Sequence, residues 1–98
     1  MSYSVHVEVK EEKVLSVYLE VDASCRVSKL VISGDFFAFP PELLDEAESK
    51  ASGADLEGVV RVVGEYLDRV VLVGVSRAKA LEVLRRAVEE GLRRCRGG

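Results

Sequence analysis

Three short segments with the apolar pattern of β-strands lie in the first third of the chain, at residues 3–9, 14–21 and 27–33. The first alternates strictly between apolar and polar residues, the second places Leu15, Val17, Leu19 and Val21 on one face, and the third has an apolar centre at residues 30–32. Period-two alternation predicts strands that bury one face. The intervening links are too short for the crossover that parallel strands require, so we predict a three-stranded antiparallel β-meander.

After residue 33 the hydrophobic period becomes that of helices. Pro41 suits the first turn of a helix, and Gly53 suits its end because glycine adopts left-handed backbone conformations. Asp55 is a suitable N-cap for a second helix, whose apolar positions continue to Leu67. Ser76 is a suitable cap for a third helix.

Residues 69–75 between the last two helices read locally as a strand, or as an apolar connector under the sheet. Because strands precede mostly helices, we predict an α+β fold with about three helices packed on one face of the meander. We expect a single domain over residues 1–98. It comprises the meander (1–33), a turn (34–40) and a helical layer (41–95).

Two cysteines, Cys25 and Cys95, lack the spacing of a metal site, and the single His6 adds no further ligands, so we expect no metal. The two cysteines are either small half-buried apolar residues or partners in a disulfide. A disulfide inside a cell would indicate a hyperthermophile. The absence of Asn, Gln and Thr agrees with a thermophilic source, although a GC-rich genome favours a similar composition.

Charge is unevenly placed along the chain. Residues 41–68 hold eight acidic and two basic side chains, a net of −6, whereas residues 69–98 hold eight basic and three acidic, a net of +5. Either the two helical layers attract one another, or the last helix presents a basic face to nucleic acid or another acidic partner. Acidic residues interrupt the basic ones and no aromatic lies among them, so we expect no nucleic acid.

We find no pattern for catalysis. Phosphate-binding loops and the G-x-S-x-G nucleophile motif are absent, and His6 lies on the polar face of its strand. The VGVS segment before the third helix could offer N–H groups to an anion, but capping by Ser76 explains it. No apolar run approaches the ~20 residues of a membrane span, and no signal peptide is evident. We therefore expect a cytoplasmic, non-catalytic chain without a membrane partner.

All three phenylalanines lie in one stretch, SGDFFAFPP, between the last strand and the first helix. Gly34 permits a backbone turn and Asp35 can bond the N–H groups that follow it. On extended backbone, Phe37 and Phe39 share one side and Phe36 takes the other. Either the rings close the core, or some of them face a partner. We assign these five residues as the candidate interface motif.

A strand ending in ISGDFF, a proline-started helix and a VGVS helix start resemble the C-terminal accessory domain of lipoate-protein ligases. A free-standing chain of this length resembles the archaeal form, in which a catalytic and an accessory subunit are separate. The resemblance covers residues 14 to about 92 and is specific at Gly34, Asp35, Phe36 and Phe37. It implies an α+β fold like that of iron–sulfur scaffold proteins, although this chain lacks their cysteine set.

The resemblance implies the following function. The family uses ATP to activate lipoate as lipoyl-AMP, then transfers it to a lysine of lipoyl domains or of the glycine-cleavage H protein. The accessory subunit is needed for activation. ATP, Mg and lipoate would be used by the complex, and none would be bound by this chain alone. The alternative is a non-catalytic α+β interaction or scaffold module, including a homodimer. A third reading is a domain that contacts nucleic acid through its basic last helix.

Overall fold

The structure is a computed structural model that describes residues 2–97. Met1 and Gly98, the ends of the predicted domain, lie outside the described residues. Within these, the chain forms five strands and three helices. In chain order they are β1 (Tyr3–Lys10), β2 (Val14–Val21), β3 (Val27–Gly34), β4 (Phe37–Phe39), α1 (Glu42–Ala51), α2 (Leu56–Leu67), β5 (Val71–Val73) and α3 (Arg77–Gly97).

The three-stranded sheet has the order β1-β2-β3, with both neighbouring pairs antiparallel. The β1–β2 register is continuous from Tyr3 opposite Val21 to Lys10 opposite Val14. The β2–β3 register shifts once, at residues 20 and 21. With three helices after the meander, the predicted α+β class is confirmed.

The helices cover one face of this sheet. Helix α3 packs on β1 and β2, α1 lies against β3, and α2 packs against both helices. The alternation of β2 turns one set of side chains into this core. Its inward residues are almost completely inaccessible to solvent: Leu15, Val17, Leu19 and Val21.

The helix starts agree with the sequence pattern. The Asp55 side chain accepts a hydrogen bond from the Gly58 N–H at 2.7 Å, and the Ser76 hydroxyl accepts one from the Lys79 N–H at 3.1 Å. Pro41 precedes α1 without a side-chain cap. Gly53 has a φ of 87°, the conformation predicted for the end of α1.

Two segments acquire a structure that the sequence left open or read differently. Residues 37–39, inside the stretch predicted as a turn, form β4, and residues 71–73 form β5. The two strands pair antiparallel, so the segment between α2 and α3 is a strand. Neither three-residue strand is stable alone, and each becomes ordered because the other supplies its hydrogen-bonding partner.

A hydrogen-bonded turn between β2 and β3 places Cys25 near the end of α3. The Ser24 hydroxyl and the Arg26 N–H donate to the Asp22 carboxylate, which holds the pKa of Asp22 below its ordinary value. Cys25 adopts a φ of 64° in this turn and forms a disulfide with Cys95, with Cα atoms 6.0 Å apart. Of the two readings of the cysteines, the structure contains the disulfide.

Gly34 and Asp35 close the sheet where β3 ends. Asp35 accepts a hydrogen bond from the Val14 N–H at 2.7 Å, and its own N–H donates to the Val14 carbonyl at 3.3 Å. Gly34 has a φ of 147°, and a Cβ at this position would overlap the Val14 carbonyl oxygen. Only glycine therefore fits where the chain leaves the sheet.

We expect Gly34→Ala to destabilise the protein by at least about 2 kcal/mol, because it adds a backbone clash to conformational strain. Gly53→Ala is the matched control, since it has a positive φ but nothing within 4 Å of the added Cβ. It should cost only about 1 kcal/mol. Urea unfolding of both variants measures the difference. Equal losses would contradict the close contact with Val14.

We expect the disulfide to contribute about 4 kcal/mol to the free energy of unfolding, because it closes a loop with a sequence separation of 70. Cys95→Ser should lower the free energy of unfolding by that amount in urea. Reductant should destabilise the wild type and leave the variant unchanged. Equal stability of wild type and variant under non-reducing conditions would argue against the bond.

Candidate docking surface

The aromatic stretch divides between the core and the surface. Phe36 is half-buried and packs against the core, directly after the closure made by Gly34 and Asp35. Phe37 and Phe39 lie on one side of β4 and are 58% and 55% exposed. The sequence prediction that these two rings share a side opposite Phe36 agrees with this arrangement.

Strand β5 extends the exposed apolar surface. Phe37 lies opposite Val73, and Phe39 lies opposite Val71. The two valines are 49% and 62% exposed, and these four residues are the exposed large hydrophobic side chains of the described chain. We call them the β4–β5 patch. Together they expose on the order of 400 Å² of apolar surface, a size that often marks an interaction site.

The opposite side of the same ribbon faces the protein. Ala38 and Leu72 are directly opposite one another and pack against the core. This packing holds the ribbon against the body of the protein, so the patch is presented on a supported backbone. Cross-strand neighbours point to the same side of a sheet. The two exposed side chains of β4 and the two of β5 therefore form one continuous surface.

Sequence reasoning identified Phe37 and Phe39 but did not include Val71 and Val73. The available signal was the alternation at residues 71–73, which suggests a strand with two side chains on one side. The missing information was the partner strand. Nothing local in the sequence shows that a three-residue segment after α2 will pair with one that precedes α1.

The start of α3 is satisfied by the chain itself. The Ser76 N–H donates to the Glu11 carboxylate at 2.7 Å, so a carboxylate from the β1–β2 turn already meets this helix end. Among the described residues, no group of three or more His, Cys, Asp or Glu could hold a metal ion. His6 is exposed on the face of the sheet that the helices leave open.

Acidic neighbours pair with several basic residues of α3. Glu90 forms ion pairs with both Arg93 and Arg94, and Lys79 pairs with Glu82. Asp68, just after α2, pairs with Arg77. Part of the positive charge of this helix is therefore neutralised locally. In the described part of the chain, none of the helices combines the length and apolarity needed to cross a membrane.

Comparisons with known proteins identify a related system. No protein-family model matches the chain. Its sequence is 28% identical over 86 residues to lipoate-protein ligase A subunit 2 of Thermoplasma acidophilum, covering 87% of this chain and 89% of the relative. Its fold matches a chain from a solved archaeal lipoylation system of the same organism, a bi-partite lipoate protein ligase and its E2 lipoyl domain. That match has a TM-score of 0.68 and 26% identity, and it covers 86% of this chain and 94% of the other.

These matches extend well beyond residues 34–37, where the resemblance was specific. They include most of this chain and most of each related chain, in sequence and in three dimensions. The resemblance inferred from the sequence is therefore confirmed: this protein is similar, over most of its length, to the second subunit of an archaeal bi-partite lipoate-protein ligase.

Proposed function

We propose that this chain is the accessory subunit of a two-part, ATP-dependent lipoate-protein ligase in the cytoplasm of a thermophilic archaeon. It acts on the activation of lipoate to lipoyl-AMP by a catalytic subunit. The lipoyl group then passes to a lysine of lipoyl domains or of the glycine-cleavage H protein. Similarity to a ligase subunit, together with the β4–β5 patch, supports this assignment.

We propose that Mg, ATP and lipoate are held by the catalytic subunit and not by this chain alone. The described part has no cluster of metal-ligating side chains, and the helix end that could meet a phosphate already receives Glu11. We therefore assign these groups to the catalytic subunit and derive no reaction step on this chain. Its contribution is to bind that subunit and stabilise the conformation that activates lipoate.

The β4–β5 patch is proposed as the centre of the interface. Burying about 400 Å² of apolar surface is worth roughly 10 kcal/mol before the cost of association. That cost is about 4–15 kcal/mol, so the patch needs surrounding polar contacts to give a stable complex. Gly34, Asp35 and Phe36 act indirectly in this proposal, because they fix the backbone from which Phe37 and Phe39 project.

A physical mechanism follows from docking at a supported apolar ribbon. A catalytic subunit bound there could have its mobile loops held closed over ATP and lipoate. Closure would exclude water from the site of adenylation. Without closure, water competes for the activated intermediate. The accessory subunit would therefore matter for activation more than for transfer.

Adding the chain to its catalytic subunit should increase lipoate-dependent ATP–pyrophosphate exchange by tenfold or more, which is about 1.4 kcal/mol of transition-state stabilisation. Transfer from pre-formed lipoyl-AMP to a lipoyl domain is the internal control and should change much less. No stimulation of exchange by a folded chain that binds the catalytic subunit would exclude the proposed role in activation.

The double variant Phe37→Asp/Phe39→Asp should weaken binding to the catalytic subunit by at least about 2 kcal/mol, because charged groups would replace the apolar centre of the interface. The free energy of unfolding should change little, since both rings are more than half exposed. Calorimetric titration and urea unfolding measure the two effects.

Two single variants serve as controls for this experiment. Phe36→Ala should destabilise the fold and leave affinity unchanged when the folded protein is measured. Val31→Asp, on the uncovered face of the three-stranded sheet, tests charge insertion outside the patch. If the double variant binds as tightly as the wild type, the catalytic subunit docks elsewhere.

The second candidate function is a non-catalytic interaction module that forms a homodimer. One observation favours self-association: β1 is an exposed edge of the three-stranded sheet. This surface shares no residue with the β4–β5 patch, so self-association and binding to a catalytic subunit are compatible.

A further inference from the structure

The two edges of the three-stranded sheet differ in how far the rest of the protein covers them. At the β3 edge, the Ile32 N–H donates to the Glu48 side chain at 2.8 Å. The backbone of Val27 also bonds to residues 53 and 54 after α1. These contacts occupy three outward groups of β3, the N–H and C=O of Val27 and the N–H of Ile32, so a further strand cannot pair along that whole edge without displacing them.

The β1 edge has no comparable cover in the described chain. Of its outward backbone groups, the Ser4 carbonyl accepts a hydrogen bond from the Arg94 guanidinium at 2.9 Å, and a pairing strand would have to displace this one bond. The strand is eight residues long, contains no proline and pairs with β2 without a bulge. Long regular edges of this kind are open to pairing with another strand.

The Ser4 contact also identifies which backbone groups face outward. In an antiparallel pair, alternate residues bond to the neighbouring strand and the residues between them face away. Because the Ser4 carbonyl is reached from outside, the N–H and C=O groups of His6, Glu8 and Lys10 face the same way. The Glu11 N–H donates across the turn to the Lys13 carbonyl at 3.0 Å. Glu11 therefore bonds toward the β2 side, as the alternation requires of the residue after Lys10.

We propose that β1 pairs with β1 of a second copy of this chain, antiparallel and with the twofold axis at Val7. The two three-stranded sheets then join into one sheet of six strands. A second copy is favoured over another partner because the edge is complementary to itself: the carboxylate of Glu8 and the imidazole of His6, an acceptor and a donor, meet across a twofold axis. The proposal is independent of the role in lipoate activation.

Several registers align outward residues with one another, and the one centred at Val7 pairs the most of them, whereas axes at Val5 or Val9 leave half of the four without a partner in the opposite strand. An axis at His6 sets each His6 opposite its own copy, and an axis at Glu8 sets two carboxylates opposite one another, which is unfavourable. An axis at Val7 sets Ser4 opposite Lys10 and His6 opposite Glu8. All four outward residues then have a partner, and the imidazole can donate to the carboxylate of the second copy.

The side chains on the helix side of β1 support the same register. Val5 is buried, whereas Val7 and Val9 are only half-buried. Pairing about Val7 sets Val7 against its own copy and Val9 against Val5 of the second copy. The new strand therefore covers apolar surface that one chain leaves partly exposed.

The groove beside β1 leaves space for the second copy's helix. It has a volume of about 1110 Å³ and lies between residues 4–7 of β1 and the second half of α3. Helix α3 lies over β1 and β2, so two copies of α3 would be roughly 10 Å apart, which is within helix-packing range. The groove wall carries both signs of charge, as a self-complementary surface requires: Arg86, Glu89, Glu90, Arg93 and Arg94.

Variants that exchange charged residues across the twofold axis test the proposal, with sedimentation equilibrium as the measurement. The wild type should be a dimer. His6→Glu alone should weaken the dimer roughly tenfold or more, because two carboxylate pairs face one another, and Glu8→Lys alone should also weaken it. An equimolar mixture of the two variants should restore association as a heterodimer, in which both cross-strand pairs are complementary.

Glu20→Lys is the matched control for Glu8→Lys. Both carboxylates lie on the open face of the sheet and accept a hydroxyl hydrogen bond, from Tyr18 and Ser16 respectively. Glu20 belongs to the central strand and should leave the dimer constant unchanged. Circular dichroism of all variants separates lost association from lost folding.

Cysteine cross-linking tests the register separately. Val7→Cys should form an intermolecular disulfide under mild oxidation, because Cα atoms at a non-hydrogen-bonded pair are about 4.5 Å apart. Val9→Cys should not, because each Val9 faces Val5 of the second copy. A wild type that stays monomeric at about 1 mM overturns the proposal. A dimer that neither charge variant weakens also overturns it. So does protection of the β1 amides from hydrogen exchange that appears only when the catalytic subunit is added.

Discussion

Burial of one face of the central strand is the constraint on which the rest of the molecule depends. β2 is bonded on both sides, and its inward side chains are almost fully removed from water. A three-stranded sheet cannot bury this face by itself, so the three helices must be laid across it. The domain is small, and its modest core is supplemented by the disulfide from Cys25 to Cys95, which ties the far end of α3 to the sheet.

The same constraint explains why the aromatic residues collect at the exit from the sheet. Gly34 passes too close to Val14 for any side chain, and Asp35 bonds the same residue, so the chain leaves the sheet on a fixed path. Phe36 can then reach the core, while the next two rings on the opposite side cannot. Exposed rings do not stabilise an isolated domain, and their concentration in one supported ribbon is understandable as an interface.

The surface therefore has two separate regions suited to association, with different physics. The β4–β5 patch offers apolar area, which favours a stable complex with a dissimilar apolar surface. The β1 edge offers ordered backbone groups and outward side chains that include hydrogen-bond donors and a carboxylate acceptor, which favour a partner of matching register. Contacts from α1 and the segment after it occupy part of the β3 edge. Twofold pairing uses the β1 edge of both copies, so it would end at two three-stranded sheets and would not continue into a fibre.

Much of the fold could be predicted from local pattern. Alternation placed β1, β2 and β3 within a residue of their observed ends, and Asp55 and Ser76 mark helix starts because each cap bonds groups only three residues away. The motif from Gly34 to Phe39 was recognisable for the same reason, since a φ requirement and the two-sided geometry of a strand are local properties. These interactions join residues that are close together in the chain, so the sequence by itself determined them.

The tertiary structure decided everything that depends on distant partners. Val71 and Val73 become part of an exposed patch only because β5 pairs with β4, more than thirty residues earlier in the chain. Cys25 and Cys95 become a disulfide only because α3 crosses the sheet toward the β2–β3 turn. Likewise, β1 is the open edge because α1 covers the other one. The physical reason is common to all three: short segments gain little stability locally, and their partners are selected by the packing of the whole core.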